Sequence, residues 1–387
     1  MPWLSSYTIL KPSKVKGIRP GMKKEGIEKQ NELLGDIRAR IDAIDDQLLV
    51  LLSARAQCAE EVAGIKRQSD PVFYRPEREA QILNRLIDAN PGPLANENVV
   101  RLFKEIISCC LSLEQPLCIA FLGPSGTYTE TAAIKQFGHF ATTRPAVSID
   151  DVFRHVESGE AHYGLVPVEN STEGMVNQTL DCLINSPLQI CSEVELPIRH
   201  MLMTNRNLQP ENITRIVSHQ QSLAQCRHWL DSNWPLIEQV AVASNAEAAK
   251  IAAEQEGVAA IAGETAADEY GLQIVSRNIE DQSDNKTRFL VLGKQEVGPS
   301  GNDKTSILVS VRNEPGALYR ILEPFHRHNV SLTRIETRPS RSSDWSYVFF
   351  IDFNGHKQDS DITKLLDDVG GESRQVKLLG SYPQAIA

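Results

Sequence analysis

Arg55 and Lys66 are the first residues whose types and spacing suggest chemistry. They lie eleven positions apart in a stretch with helical periodicity. Eleven steps of 100° return to within about 20° of the same face, so both side chains can line one pocket. Arg38 lies seventeen residues before Arg55, about 100° around and about 25 Å away, beyond reach of that pocket from its own helix. It can reach the matching pocket of an antiparallel partner. Arg78, Glu79 and Glu114 follow on two further helical stretches. Guanidinium groups grip carboxylates in bidentate fashion, so several Arg and Lys in a helical bundle suit a small dianion. Further on, the apolar run Leu165-Val166-Pro167-Val168 ends in Glu169-Asn170-Ser171-Thr172-Glu173-Gly174. Such an ending is either a plain turn or a site, because ligands bind at strand ends in open α/β sheets.

Those residues need elements to hold them. From 28 to 67, Ile37, Ile41, Ile44, Leu48, Leu51, Arg55, Cys58, Val62 and Ile65 recur in steps of three and four. This is a helical seam about 60 Å long. No globule of 90 residues covers it alone, so shorter helices and a second subunit are expected on it. Helices are predicted at 77–89, closed by Pro91-Gly92-Pro93, and at 96–114, closed by Pro116. From 117 to 294, β-rich runs alternate with helical ones, which is α/β layering. A linker, Gly298-Pro299-Ser300-Gly301-Asn302-Asp303, leads to a βαββαβ order over 304–387, a small ferredoxin-like unit.

Composition sets bounds. A net charge of −10 argues against nucleic acid as a partner. No apolar run approaches the roughly 18 residues that a membrane span needs. The seven cysteines include no CxxC pair, which reads as reduced, cytoplasmic thiol. Residues 1–26 are basic at the start, broken by prolines, and expected to be a disordered extension. The turn Gly123-Pro124-Ser125-Gly126 invites a nucleotide, but neither GxGxxG nor a Walker sequence is present. No cofactor and no metal is expected.

The spaced set Leu34, Arg38, Ile41, Asp45, Leu48, Leu52, Arg55, Val62 and Lys66, followed by Tyr74-Arg75-Pro76-Glu77-Arg78-Glu79, resembles the all-helical chorismate mutases over 27–115. The resemblance implies an intertwined homodimer or larger assembly. Arg38 would serve the other subunit's site, beside Arg55, Arg78 and Glu79, with Lys66 and Glu114 at the ether oxygen of chorismate. A carboxylate would repel that oxygen, so Glu114 is expected to act protonated. Cys110 is expected to be packing.

GPSGTYTE (123–130), VPVENSTEG (166–174), SHQQSLAQC (218–226) and NKTRFLVL (285–292) together resemble prephenate dehydratase over 117–295. The implied fold is two α/β lobes like those of periplasmic binding proteins, with prephenate in the cleft. Thr287 is implied as donor to the leaving hydroxyl, and Glu169, Asn170, Ser171, Thr172, Ser218 and Gln225 as cleft wall. Arg288 either binds a carboxylate or braces its strand. Gln220 stands where the family usually has proline, which is expected to loosen its loop.

Asn313-Glu314-Pro315-Gly316-Ala317-Leu318 and Ile335-Glu336-Thr337-Arg338-Pro339 resemble the phenylalanine-binding motifs of the ACT domain over 304–387. Taken alone, both are ordinary turns. The resemblance implies an L-Phe site at Asn313, Gly316, Ala317, Leu318, Glu336, Thr337 and Arg338, and feedback inhibition. Three blocks in this order imply a multidomain bifunctional enzyme: all-α, then bilobed α/β, then α+β. The rival reading is a solute-binding protein, against which stand the seam charges.

Overall fold

A computed structural model describes residues 20–69, 72, 74–312, 314–339 and 347–385, with side chains from residue 30 onward and none at 67–69. The described residues up to Cys58 form one compact unit and those from Ala59 onward another. The boundary falls within α1 (Pro20–Ser69). The helix therefore starts at Pro20 and not near 28, which corrects the expectation of an unstructured chain over 20–26. Proline breaks a helix interior but suits its first turn, where its missing N–H would have no partner anyway. Residues 1–19 of the expected extension lie outside the described residues. In the first unit, Leu33, Ile37, Ile41, Ile44, Leu48 and Leu51 are exposed.

In the second unit, α2 (Pro76–Ala89) and α3 (Asn96–Glu114) fall where the prolines predict. Cys110 is buried in packing, as expected. The α/β block then builds two sheets. The first lobe contains β1 (Cys118–Leu122), α4 (Tyr128–Phe137), β2 (Thr142–Ala146), α5 (Ile149–Ser158), β3 (Tyr163–Asn170), β4 (Gly174–Met175), α6 (Asn177–Asn185) and β5 (Gln189–Pro197). The chain crosses to a second lobe with β6 (Met201–Thr204), β7 (Arg215–His219), α7 (Gln220–Gln225), α8 (Arg227–Asn233), β8 (Glu238–Val242), α9 (Asn245–Glu254), β9 (Val258–Ala262), α10 (Glu264–Tyr270) and β10 (Gln273–Ser276). It returns as β11 (Lys286–Gly293).

The first sheet runs β2-β1-β3-β11-β5, with β4 on β3, and the second runs β10-β6-β9-β7-β8. In the first, β11 is inserted antiparallel between β3 and β5, pairing Thr287 with Asn170 and Arg288 with Glu169. The two crossing segments are tied to each other: Ile198 N–H donates to Asn285 O at 2.9 Å and Ile279 N–H to His200 O at 3.0 Å.

The last block is β12 (Asp303–Val311), α11 (Ala317–Arg327), β13 (Leu332–Pro339), β14 (Tyr347–Asn354), α12 (Ser360–Glu372) and β15 (Gln375–Pro383). This is the predicted βαββαβ order, in a sheet β13-β14-β12-β15. One face of it covers the first lobe: Leu308, Val348, Phe350, Leu379 and Tyr382 share a core with Val166, Leu188, Ile190, Leu290 and Leu292. At Gly380 a Cβ would strike the backbone of Ile190 in β5, so only glycine permits the two sheets to approach this closely. Gly380→Ala is expected to destabilise the chain by about 1–3 kcal/mol. Calorimetry should show this as a Tm lowered by several degrees; an unchanged Tm would mean that the sheets do not meet there.

Candidate functional site

In the helical block, Lys66 Nζ lies 3.7 Å from Glu114 Oε2, both largely shielded from water. The structure thus brings together two of the predicted mutase residues from α1 and α3. Glu79 is buried. Burial raises its carboxyl pKa, and the Lys104 charge opposes this; Lys104 is itself lowered by burial. Arg78 is exposed. Arg38 and Arg55 belong to the first unit, Arg38 exposed and Arg55 half-buried.

The second site lies where the two lobes meet, a common place for ligands. The polar strand end is bound to β11. Asn170 Oδ1 accepts from the backbone N–H groups of Thr172 and Glu173, at 3.0 Å each. Its Nδ2 donates to Thr287 Oγ1 and to Asn285 Oδ1, both at 2.9 Å. Ser171 Oγ donates to Asn285 Oδ1 at 3.3 Å and accepts from Lys286 N–H at 3.0 Å. Thr172 contributes its backbone; its side chain is exposed. Thr287 is buried. Its hydroxyl oxygen is engaged by Asn170, which leaves the proton to be given elsewhere.

From the second lobe, Gln225 faces the same place. Its Oε1 accepts from Asn285 Nδ2 at 3.3 Å and lies 2.8 Å from His200 Nε2. Burial lowers the His200 pKa; the Gln225 bond and the Glu280 charge oppose this. Its Nδ1 is 2.8 Å from the Tyr128 hydroxyl, whose own pKa burial pushes well up. Ser218 does not join this group. It is fully buried inside the second lobe, bonded to Ile261 O at 2.7 Å and to Asn245 Oδ1 at 3.0 Å. Gln220 opens α7, with His219 Nδ1 accepting the Gln221 N–H at 3.4 Å. The helix begins at this position without the proline.

Of the two readings open for Arg288, the geometry favours the bracing one over the substrate-binding one: its guanidinium is directed at three of the protein's own carboxylates. Nη1 meets Glu193 Oε2 at 3.1 Å, Nη2 meets Asp352 Oδ2 at 2.8 Å, and Nε lies 3.6 Å from Glu169 Oε2. Burial disfavours its charge, but Asp352 and Glu193 raise the pKa overall. Lys304 Nζ holds Glu193 at 2.7 Å, and Arg334 Nη1 holds Glu169 at 3.1 Å. Glu169 is therefore tied to the C-terminal sheet through Arg334, beside Asn170 in the strand.

In the C-terminal block, Gly316 sits at the start of α11 with φ +79°. Ala317 is half-buried and Leu318 exposed. On the edge strand β13, Thr337 is exposed and Glu336 half-buried. Arg338 is committed to Asp181 of α6 at 2.7 Å. Asn313 lies outside the described residues.

The residues that sequence reasoning missed are Asn285, His200, Glu193, Lys304, Arg334 and Asp352. Two carried a signal. Glu193 and Asp352 are charges inside buried strands, which must find partners. In the glycine turn at 123–126, the Gly126 N–H is given to one of the protein's own carboxylates, Glu130 Oε2, at 2.7 Å. Among the described residues, no group of three or more His, Cys, Asp or Glu could hold a metal ion.

Comparison with known proteins agrees with this architecture. Family models match in chain order: chorismate mutase type II over residues 37–115, prephenate dehydratase over 119–297 and the ACT domain over 305–371. The bifunctional chorismate mutase/prephenate dehydratase of Pseudomonas aeruginosa is 55% identical over 355 residues, covering 90% of this chain and 97% of that one. Among solved structures, a prephenate dehydratase from Arthrobacter aurescens in complex with L-Phe is 35% identical, with TM-score 0.65, over 70% of this chain and 90% of that one. GqqA, described as a novel type of quorum quenching acylase, is 29% identical, also with TM-score 0.65, over 69% and 98%. With three matching domains in order and a full-length relative at this identity, the chain belongs to the bifunctional chorismate mutase/prephenate dehydratases and carries both activities.

Proposed function

We propose that the chain performs two consecutive steps toward L-phenylalanine, chorismate to prephenate and prephenate to phenylpyruvate, and that L-phenylalanine inhibits the second. The observation that carries the dehydratase reading is Thr287, a buried hydroxyl at the lobe junction whose oxygen is held by Asn170 and whose proton is uncommitted.

Chorismate rearranges by a pericyclic step with no proton transfer. The protein has to hold the compact conformer and stabilise charge that develops on the ether oxygen. Arg38 from a second subunit and Arg55 would take the carboxylates. Arg78 and Glu79 are further substrate-binding candidates. Lys66 and Glu114 are spaced so that one oxygen can bond to both at about 2.8 Å. Lys66 donates as a cation, whereas Glu114 can donate only when protonated. Mutase activity is therefore expected to fall as pH rises, and to flatten in Glu114→Gln. An unchanged pH profile in that variant would remove Glu114 from this role. The exposed apolar seam of α1 supports the dimer, because a row of Ile and Leu in water favours a partner.

Prephenate becomes phenylpyruvate by losing CO2 and water, with one proton delivered to the departing hydroxyl. Aromatisation drives the loss, so the cleft needs a placed donor and groups for two carboxylates. Thr287 is a poor acid and acts by orienting and relaying a proton. Thr287→Val is expected to lower dehydratase kcat by about 10²–10⁴-fold while sparing the mutase. Thr287→Ser should retain most of the activity. Phenylpyruvate formation from prephenate measures both.

Inhibition needs an effector that binds two states of the cleft unequally. Strand β13 is the route we favour: Arg334 holds Glu169, and Arg338 holds Asp181. The effector would sit at Gly316–Leu318 with Glu336 and Thr337. Valine at position 316 strains a backbone with φ +79°. Gly316→Val is expected to keep phenylpyruvate formation and lose its suppression by L-Phe; retained sensitivity would place the effector elsewhere. We place the enzyme in the cytoplasm. The cysteines are all free thiols, and among the described residues no helix is long and apolar enough to cross a membrane.

A further inference from the structure

A file of hydrogen bonds crosses the cleft, and the backbone sets its direction at one end. Asn170 Oδ1 accepts two backbone N–H groups, so Nδ2 must be the atom that meets Asn285. Asn285 has to answer with its oxygen, which also takes the Ser171 hydroxyl. That turns Asn285 Nδ2 toward Gln225, whose facing atom must then be Oε1. The same Oε1 lies 2.8 Å from His200 Nε2, so that nitrogen must carry the proton. What remains of the Gln225 amide is Nε2, shielded from solvent and without a hydrogen-bond partner. A buried donor left in this way is costly unless a ligand takes it.

We propose that Asn285 is a positioning residue of the dehydratase. It fixes the Gln225 amide so that N–H, and not C=O, is offered to a carboxylate or carbonyl oxygen of the substrate. The proposal rests on reading the cleft as the prephenate site. An amide is nearly symmetric in shape, so nothing but its neighbours decides which end faces the ligand. Here every neighbour's choice is dictated in turn, back to the N–H groups of Thr172 and Glu173. The Tyr128 hydroxyl at the far end does not fix the direction, since Arg199 O and His200 Nδ1 are both 2.8 Å from it.

Asn285→Asp reverses the file when the new carboxylate is ionised. Asn170 still finds an acceptor, but Gln225 must now present Nε2 to the carboxylate and to His200. The imidazole then gives up its Nε2 proton and carries one on Nδ1, and the amide shows the ligand an oxygen. Gln225→Glu is the complementary variant: it keeps acceptors toward Asn285 and His200 but puts a second oxygen where Nε2 was.

The experiment combines 15N-edited NMR of the imidazoles in the full chain with steady-state kinetics on prephenate, the His200 signal being assigned by its loss in His200→Asn. Mutase turnover on chorismate reports that each variant chain is intact. In the unaltered protein His200 should be protonated on Nε2; a neutral ring with bare Nε2 overturns the proposal without any variant. Asn285→Asp should move the proton to Nδ1 and raise KM by about tenfold or more, with kcat changed less than about threefold. If the imidazole does not move, the positioning role is wrong. Gln225→Glu should raise KM similarly with His200 unchanged. An unaltered KM there would overturn the reading of the cleft itself, while the NMR result would still judge the direction of the file.

Discussion

The fold of the second unit turns on a largely buried ion cluster between two sheet faces, open to water only at Glu169. Arg288, Lys304 and Arg334 meet Glu193, Asp352 and Glu169, three cations with three carboxylates. Ser306 adds a hydroxyl to Asp352 at 2.6 Å and in turn meets the Tyr382 hydroxyl at 2.7 Å. Taking such charges out of water is expensive, and losing one partner of a buried pair costs about 3–5 kcal/mol. The arrangement is specific because it tolerates no slippage. The apolar faces around it would accept many relative positions of the two sheets; the ions accept one.

That constraint has a functional side. Glu169 belongs to the cluster, and the next residue, Asn170, holds Thr287 and begins the hydrogen-bond file to Gln225. A shift of the C-terminal sheet would pull on Arg334, and through it on the strand end that forms the cleft wall. Backbone bonds between the two crossing segments couple the lobes at the same level. Similar lobes occur in GqqA, described as an acylase, which shows that the scaffold alone does not name the chemistry.

Much of this was legible in the sequence. Pro76 and the Pro91-Gly92-Pro93 stop set α2, and the alternation after 304 gave the βαββαβ order. Lys66 and Glu114 lie 3.7 Å apart, a nearness that only the resemblance implied. Pro20 misled, because a proline reads as a break until one knows that it sits in the first turn. Ser218 misled because a motif residue next to a site can serve the frame that holds it. Arg288 had two honest readings, and only its partners favour one over the other. Those partners lie in Glu193 and Asp352, 95 and 64 residues away. No local spacing reports such pairings; a charge inside a buried strand says only that a partner exists.

Thr287 and Arg288 are adjacent in β11, and a pleated strand sends neighbours to opposite faces. One looks into the cleft and the other into the ionic seam with the C-terminal domain. Register therefore governs both at once. A one-residue slip of β11 against β3 and β5 would exchange the two, burying a hydroxyl among carboxylates and swinging a guanidinium into the cleft. The register of β11 is thus a frozen dimension of this enzyme, and the segment that leads into it is held as well, through Asn285 at the cleft and Glu280 on Arg199 and the His200 N–H.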